Sequence, residues 1–168
     1  GEILDTNWST GGQVVLDYYL GTGMDQLMDD NVLAASNGCN FPPGGGYCEG
    51  WSQVERFSSE GAWLSTFGGM PVWYTTILVR AAGDVLASYY AGTGLPYGIR
   101  RFSATGEDLG LWSDLTDVMD LVEREDGTIL AATDFWGTVE QLGPDGTSLG
   151  ALIYPPQVSR PHGLLILR

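Results

Sequence analysis

Short apolar runs alternate with turn residues along the whole chain, and no window sustains a 3.6-residue apolar period, so the pattern predicts strands and little or no helix. One apolar phrase recurs as "NVLAAS" at 31–36, "DVLASY" at 84–89 and "TILAAT" at 128–133. "TTILVRAAG" and "MDLVEREDG" run into two of these copies and end in a glycine turn, and the closing "GLLILR" reads as the start of another such strand. A second pattern lies between the copies: a large apolar residue, a glycine four places on, then an aliphatic residue three places and a large apolar residue six places past the glycine. It is filled by Trp8, Gly12, Val15 and Tyr18; by Phe57, Gly61, Leu64 and Phe67; by Phe102, Gly106, Leu109 and Trp112; and by Leu142, Gly146, Leu149 and Leu152.

From Gly12 to Gly61, Gly106 and Gly146 the intervals are 49, 45 and 40 residues, the range of repeats that carry four strands per unit. Each unit therefore reads as four short strands, with the glycine supplying a positive φ in a tight hairpin turn. "GPDG" at 143–146 shows the turn chemistry most plainly. The flanking aromatic and aliphatic residues are expected on one face of the strand pair, packed between neighbouring sheets. A four-stranded antiparallel sheet repeated radially is a β-propeller blade. The expectation is one all-β domain over 1–168, a propeller of about four blades with units near 1–23, 24–69, 70–114 and 115–154 and a final inner strand at 161–168.

One blade is expected to be incomplete or closed by N- and C-terminal strands. "GEIL" at the N-terminus fits either a second strand, by likeness to "GDVL" and "GTIL", or a third, by the register of Trp8 and Gly12. Closure of that blade by N- and C-terminal strands would remove its exposed edges. Two copies could instead form a larger ring, or the chain could belong to a longer protein, so monomer and homo-oligomer both stay open.

"ILVRAAGDVLASYY" followed by "GIRRFSATGEDLGLW" resembles the blades of bacterial propellers of the NHL and lyase-like type, in which a glycine turn joins the first two strands and F-x-x-x-G joins the last two. The resemblance covers nearly the whole chain and implies an architecture more than an activity; such propellers usually have about six blades, and this chain encodes about four.

Composition supports turns and a stapled loop. Glycine accounts for 25 of 168 residues, about twice the usual 7%. Cys39 and Cys48 enclose "CNFPPGGGYC", where prolines and glycines exclude a helix or central strand. A disulfide between them would constrain that loop and points to a secreted or periplasmic protein; two free thiols are the alternative. No apolar run is long enough for a membrane span. The net charge of −14, with arginine as the only basic residue besides His162, disfavours nucleic acid and anionic membranes.

The loops on one end of such a propeller differ from unit to unit: "NGCNFPPGGGYCEGWS", "AGTGLPYG" and "DFWG" within blades, "GGMPVWY", "WSDLTD" and "YPPQVSRPH" between them. Binding resides in variable loops on a rigid scaffold. These loops carry Trp51, Trp73, Tyr74, Tyr90, Tyr97, Phe135, Trp136 and Tyr154, rigid rings with polar handles that suit sugar rings or proline-rich peptides. The alternative for each ring is to plug the channel or pack between blades. The leading expectation is an acidic, extracellular, non-catalytic module that binds a carbohydrate or peptide and needs no cofactor.

Catalytic signals are sparse. No G-x-S-x-G, phosphate-binding loop or lysine is present. Asp25, Asp117 and Asp120, near the starts of inner strands, together with His162, could converge on the channel and hold Ca²⁺ or Mg²⁺. Propellers similar to this one use such a metal for lactone hydrolysis or lyase chemistry, which makes a metal-dependent hydrolase or lyase the alternative. A third reading is an assembly module whose open blade accepts a strand from a partner or a second copy. Asp29, Asp30, Asp126 and Asp145 read as turn residues.

Overall fold

A computed structural model describes residues 23–40, 49–67, 73–90, 97–134, 136–155, 161 and 163–164. Twelve strands form three four-stranded antiparallel sheets, each in sequential order. The first sheet holds β1 (Met24–Gln26), β2 (Val32–Asn40), β3 (Glu49–Phe57) and β4 (Trp63–Phe67). The second holds β5 (Trp73–Val79), β6 (Val85–Tyr90), β7 (Gly98–Phe102) and β8 (Asp108–Ser113). The third holds β9 (Val118–Glu123), β10 (Ile129–Thr133), β11 (Thr138–Leu142) and β12 (Ser148–Ile153). No helix occurs among the described residues. The first strands pack on one another, β1 on β5 and β5 on β9, as the inner strands of propeller blades do. The fold is a β-propeller. The ends expected to make a further blade, 1–22 and 165–168, lie outside the described residues, as do Cys48, Phe135 and His162.

All six described hairpin turns share one geometry. In each, the amide of the fourth residue bonds the carbonyl of the first, and the first amide bonds the fifth carbonyl: Leu27–Asn31, Ser58–Ala62, Arg80–Asp84, Ser103–Glu107, Arg124–Thr128 and Gly143–Thr147. The fourth residue is left-handed, with φ between 78° and 92° at Gly61, Gly83, Gly106, Gly127 and Gly146 and 64° at Asp30, as a three-residue hairpin loop with its bulge requires. The acidic turn residues act locally: Asp126 and Asp145 accept from the amide and hydroxyl of Thr128 and Thr147, and Asp29 accepts from the amide and side chain of Asn31 and from Arg56.

The flanking apolar residues do not share one face, contrary to the expectation from spacing. Phe102 lies in the core between the first two sheets and Leu142 in that between the second and third, so each faces the preceding blade. Phe67 faces the following one, its ring centroid 6.0 Å from that of Phe102. The aliphatic position three residues past the glycine is exposed on the outermost strand at Leu64, Leu109 and Leu149. Bulges in β8 and β12, where Gly110 and Gly150 both have φ of 101°, break the two-residue alternation that spacing alone assumes.

Charged groups join the second and third blades near the hairpin turns. Arg80 is buried, bonded to Asp84 at 3.3 Å and Glu123 at 3.4 Å, with its guanidinium 5.6 Å from the Trp112 ring centroid. Arg101 adds a 2.6 Å bond to Asp84, and Glu123 also accepts the Ala81 amide at 2.6 Å.

Candidate functional site

The six shared turns occupy one end of the propeller, so strand starts and longer connections gather at the other. At that mouth β5 and β9 each carry a bulge, one residue unpaired at Thr75 and one at Met119. A bulge redirects the side chains beside it. Thr75 turns toward the third blade and donates its hydroxyl to the Val118 carbonyl at 2.6 Å. Between the two bulges is a cleft of about 200 Å³ lined by Thr75, Ser88, Tyr89, Asp117, Val118, Met119 and Asp134.

Asp117 enters the cleft from a left-handed backbone, φ 58°, a conformation that aspartate tolerates better than most residues and that clusters at functional sites. Its carbonyl accepts the Asp134 amide at 3.0 Å, which fixes the two acidic residues side by side at the lip, and its carboxylate accepts the Thr116 hydroxyl at 3.3 Å. Tyr89 is almost fully buried and hydrogen-bonds Arg100, whose guanidinium grips Asp108 through two bonds of 3.1 and 2.6 Å. The hydrogen bonds that Arg100 donates to Asp108, opposed by partial burial and aided by Tyr89, raise the Arg100 pKa. Burial pushes the Asp108 carboxyl up, yet the Arg100 bonds and the Gly110 amide hold it below the usual value. The cleft therefore offers hydroxyls and carboxylates on a rigid frame, a set suited to hydrogen-bonding a polar ligand.

The expected mouth aromatics separate into three groups. Tyr97, Trp136 and Tyr154 are exposed. Tyr74 is instead fully buried in the core between the first and second blades, where burial foremost, and then the Asp108 charge, pushes its phenol well above the usual tyrosine range. It is a packing residue because it pairs directly with Tyr89 on the face opposite the Thr76–Ser88 pair. Trp51, Trp73 and Tyr90 lie in β3, β5 and β6, and Cys39 in β2; Phe135, His162 and Cys48 lie outside the described residues.

The three expected acids are taken up by separate partners. The Asp25 carboxylate, two residues from the Leu27–Asn31 turn, accepts the Val79 amide of the next blade at 2.7 Å. Asp120 accepts the amides of Leu121 at 2.9 Å and Leu164 at 2.6 Å, and the Thr76 hydroxyl at 3.5 Å. Only Asp117 reaches the mouth cleft. No three His, Cys, Asp or Glu side chains among the described residues stand close enough to hold a metal, and His162, the fourth expected ligand, lies outside them. Sequence reading missed Ser88, Tyr89 and Asp134. Asp134 opens the "DFWG" loop that was singled out for its aromatics.

Solved structures share this fold. A gluconolactonase from Xanthomonas campestris superposes with a TM-score of 0.62 at 16% identity, over 88% of this chain and 54% of that one. A candidate gluconolactonase gives 0.58 at 22% identity, over 79% of this chain and 47% of that one. A eukaryotic initiation factor gives 0.55 at 13% identity, over 91% of this chain and 38% of that one. The chain spans about half the length of the gluconolactonase structures it matches. No protein-family model matches the sequence, and no curated protein matches it.

Proposed function

We propose that the propeller mouth binds a small hydroxyl-rich ligand of the carbohydrate class, held in the cleft between the second and third blades. The carrying observation is the convergence of Thr75, Ser88, Tyr89, Asp117 and Asp134 on one cleft of about 200 Å³. That volume is below the roughly 300–1,000 Å³ of drug-sized pockets, which restricts the ligand to about one ring. Exposed Trp136, Tyr97 and Tyr154 on the same end supply apolar faces for stacking or for a peptide backbone. An extracellular location and a disulfide between Cys39 and Cys48 are part of the same proposal, drawn from the two cysteines of the sequence.

Calorimetric titration with a panel of neutral monosaccharides tests this reading. Asp117→Asn and Ser88→Ala should each weaken binding about tenfold, the equivalent of one hydrogen bond of about 1.4 kcal/mol. Asp25→Asn, far from the cleft, should leave affinity unchanged. Equal affinity in all three variants would remove the cleft from consideration.

A second reading draws on the gluconolactonase likeness and on the two carboxylates at one lip: hydrolysis of a sugar lactone. Lactone consumption by the purified chain, lost in Asp117→Asn, would favour it over binding alone. Binding of the sugar without turnover of its lactone would favour the first.

A further inference from the structure

The mouth cleft is rich in hydrogen-bond acceptors. An ionised carboxylate accepts and does not donate, and the cleft takes two, Asp117 and Asp134, from residues held side by side by the 3.0 Å bond between their backbones. Thr75 lines it as well. Its one hydroxyl proton is given to the Val118 carbonyl at 2.6 Å, so the oxygen has only lone pairs left for a ligand. None of the described residues that line the cleft is basic. Arg100, bonded to Tyr89, is neutralised by Asp108 through two bonds of 3.1 and 2.6 Å.

A second feature is independent of the acids. Ser88 lines the same cleft from β6, is 2% exposed, and makes no side-chain hydrogen bond among the described residues. Buried hydroxyls are ordinarily satisfied, so this one points to a ligand atom as its partner. It can donate or accept, which suits a sugar hydroxyl or ring oxygen.

A ligand seated there has to bring donors. A sugar hydroxyl brings one proton and no charge, whereas a primary ammonium brings three protons and a positive charge on one atom. Two carboxylates side by side also repel each other, and a cation between them turns that repulsion into attraction. We propose that the cleft selects an amino sugar, a sugar with a free primary ammonium, seating that group between the Asp117 and Asp134 carboxylates while Ser88 bonds a ring substituent. This names the ligand class within the carbohydrate reading given above and rests on that reading.

Calorimetric titration of the full chain tests it, with EDTA present to exclude metal bridging and at about pH 6, where amines are protonated and carboxyls are not. Glucosamine, galactosamine and mannosamine are each compared with the N-acetyl form and the parent hexose. At least one amino sugar should bind about tenfold tighter than both of its neutral counterparts. Asp117→Asn and Asp134→Asn should each shrink that ratio, whereas Asp126→Asn, at the turn end of the propeller, should leave it unchanged. Equal affinity for amino sugar and hexose would overturn the ammonium preference and leave the carbohydrate cleft standing. Ethanolamine bound as tightly as the amino sugar would overturn the amino-sugar class and the carbohydrate reading together, as would no binding of any sugar. A preference that survives both cleft variants would move the ammonium away from these carboxylates and overturn the proposal.

Discussion

The Asp120 carboxylate accepts the Leu164 amide at 2.6 Å and so ties the C-terminal segment to the inner strand of the third blade. The same carboxylate meets the Thr76 hydroxyl of the second blade at 3.5 Å, so one side chain links the inner strands of the second and third blades to Leu164. Asp120→Ala should cost about 1.5–3 kcal/mol, the range for hydrogen bonds to a charged group. Hydrogen exchange at the Leu164 amide should then accelerate first. Thr76→Val should cost less, because 3.5 Å is the weak limit of such a bond.

The turn glycines differ in what surrounds them, and substitution should separate strain from collision. At Gly127 an added Cβ meets only the Pro144 side chain at 3.6 Å, whereas at Gly146 it meets the Trp112 carbonyl oxygen at 2.0 Å. Gly127→Ala should cost about 1–2 kcal/mol for its left-handed backbone. Gly146→Ala should cost clearly more, because the backbone of another blade must move. Asp30→Gly should stabilise by about 0.5–1 kcal/mol at its φ of 64°. Urea midpoints of the three variants check the ranking.

Arg80 is buried between Asp84, Glu123 and the Trp112 ring. Removing one member of a buried ion cluster strands its partners and costs about 3–5 kcal/mol. Arg80→Leu should therefore lower stability more than Arg100→Leu, whose Asp108 partner is 36% exposed and can rehydrate. Thermal melts should rank the two variants in that order, with little effect of salt on the Arg80 contribution.

Acid should weaken the turns. The Thr128 and Thr147 hydroxyls, followed by their amides, hold the Asp126 and Asp145 carboxyls below the ordinary value of 3.8. A carboxyl with a depressed folded-state pKa contributes stability above its unfolded value and loses it as pH falls through the folded one. The loss therefore begins near pH 3.8 and continues below it. Thr128→Val with Thr147→Val should flatten that part of the stability profile, measured against the unmodified chain between neutral pH and pH 2.

The blade repeat was legible because its cause is local: a left-handed turn position demands glycine or an acidic stand-in, and the apolar phrases mark the strands. Asp117 was legible as an acid at a strand entrance. Tyr74 and Tyr89 were not, since both occur in strands that mix aromatic, aliphatic and hydroxyl residues, and the bulge at Thr75 shifts the alternation that would assign their faces. The opposed facing of Phe67 and Phe102 was hidden for the same reason, because spacing counts residues and bulges change what a count means. Ser88 and Asp134 are distant in sequence and meet only where two blades touch.

The most direct measurement is an amide NMR titration of the full chain with a neutral monosaccharide panel. Shifts confined to Thr75, Ser88, Asp117, Asp134 and their neighbours, saturating with one ligand per chain, are the expected result. Saturable shifts at the Gly61, Gly106 and Gly146 turns, or none at the mouth with any sugar, would contradict a carbohydrate site between the second and third blades.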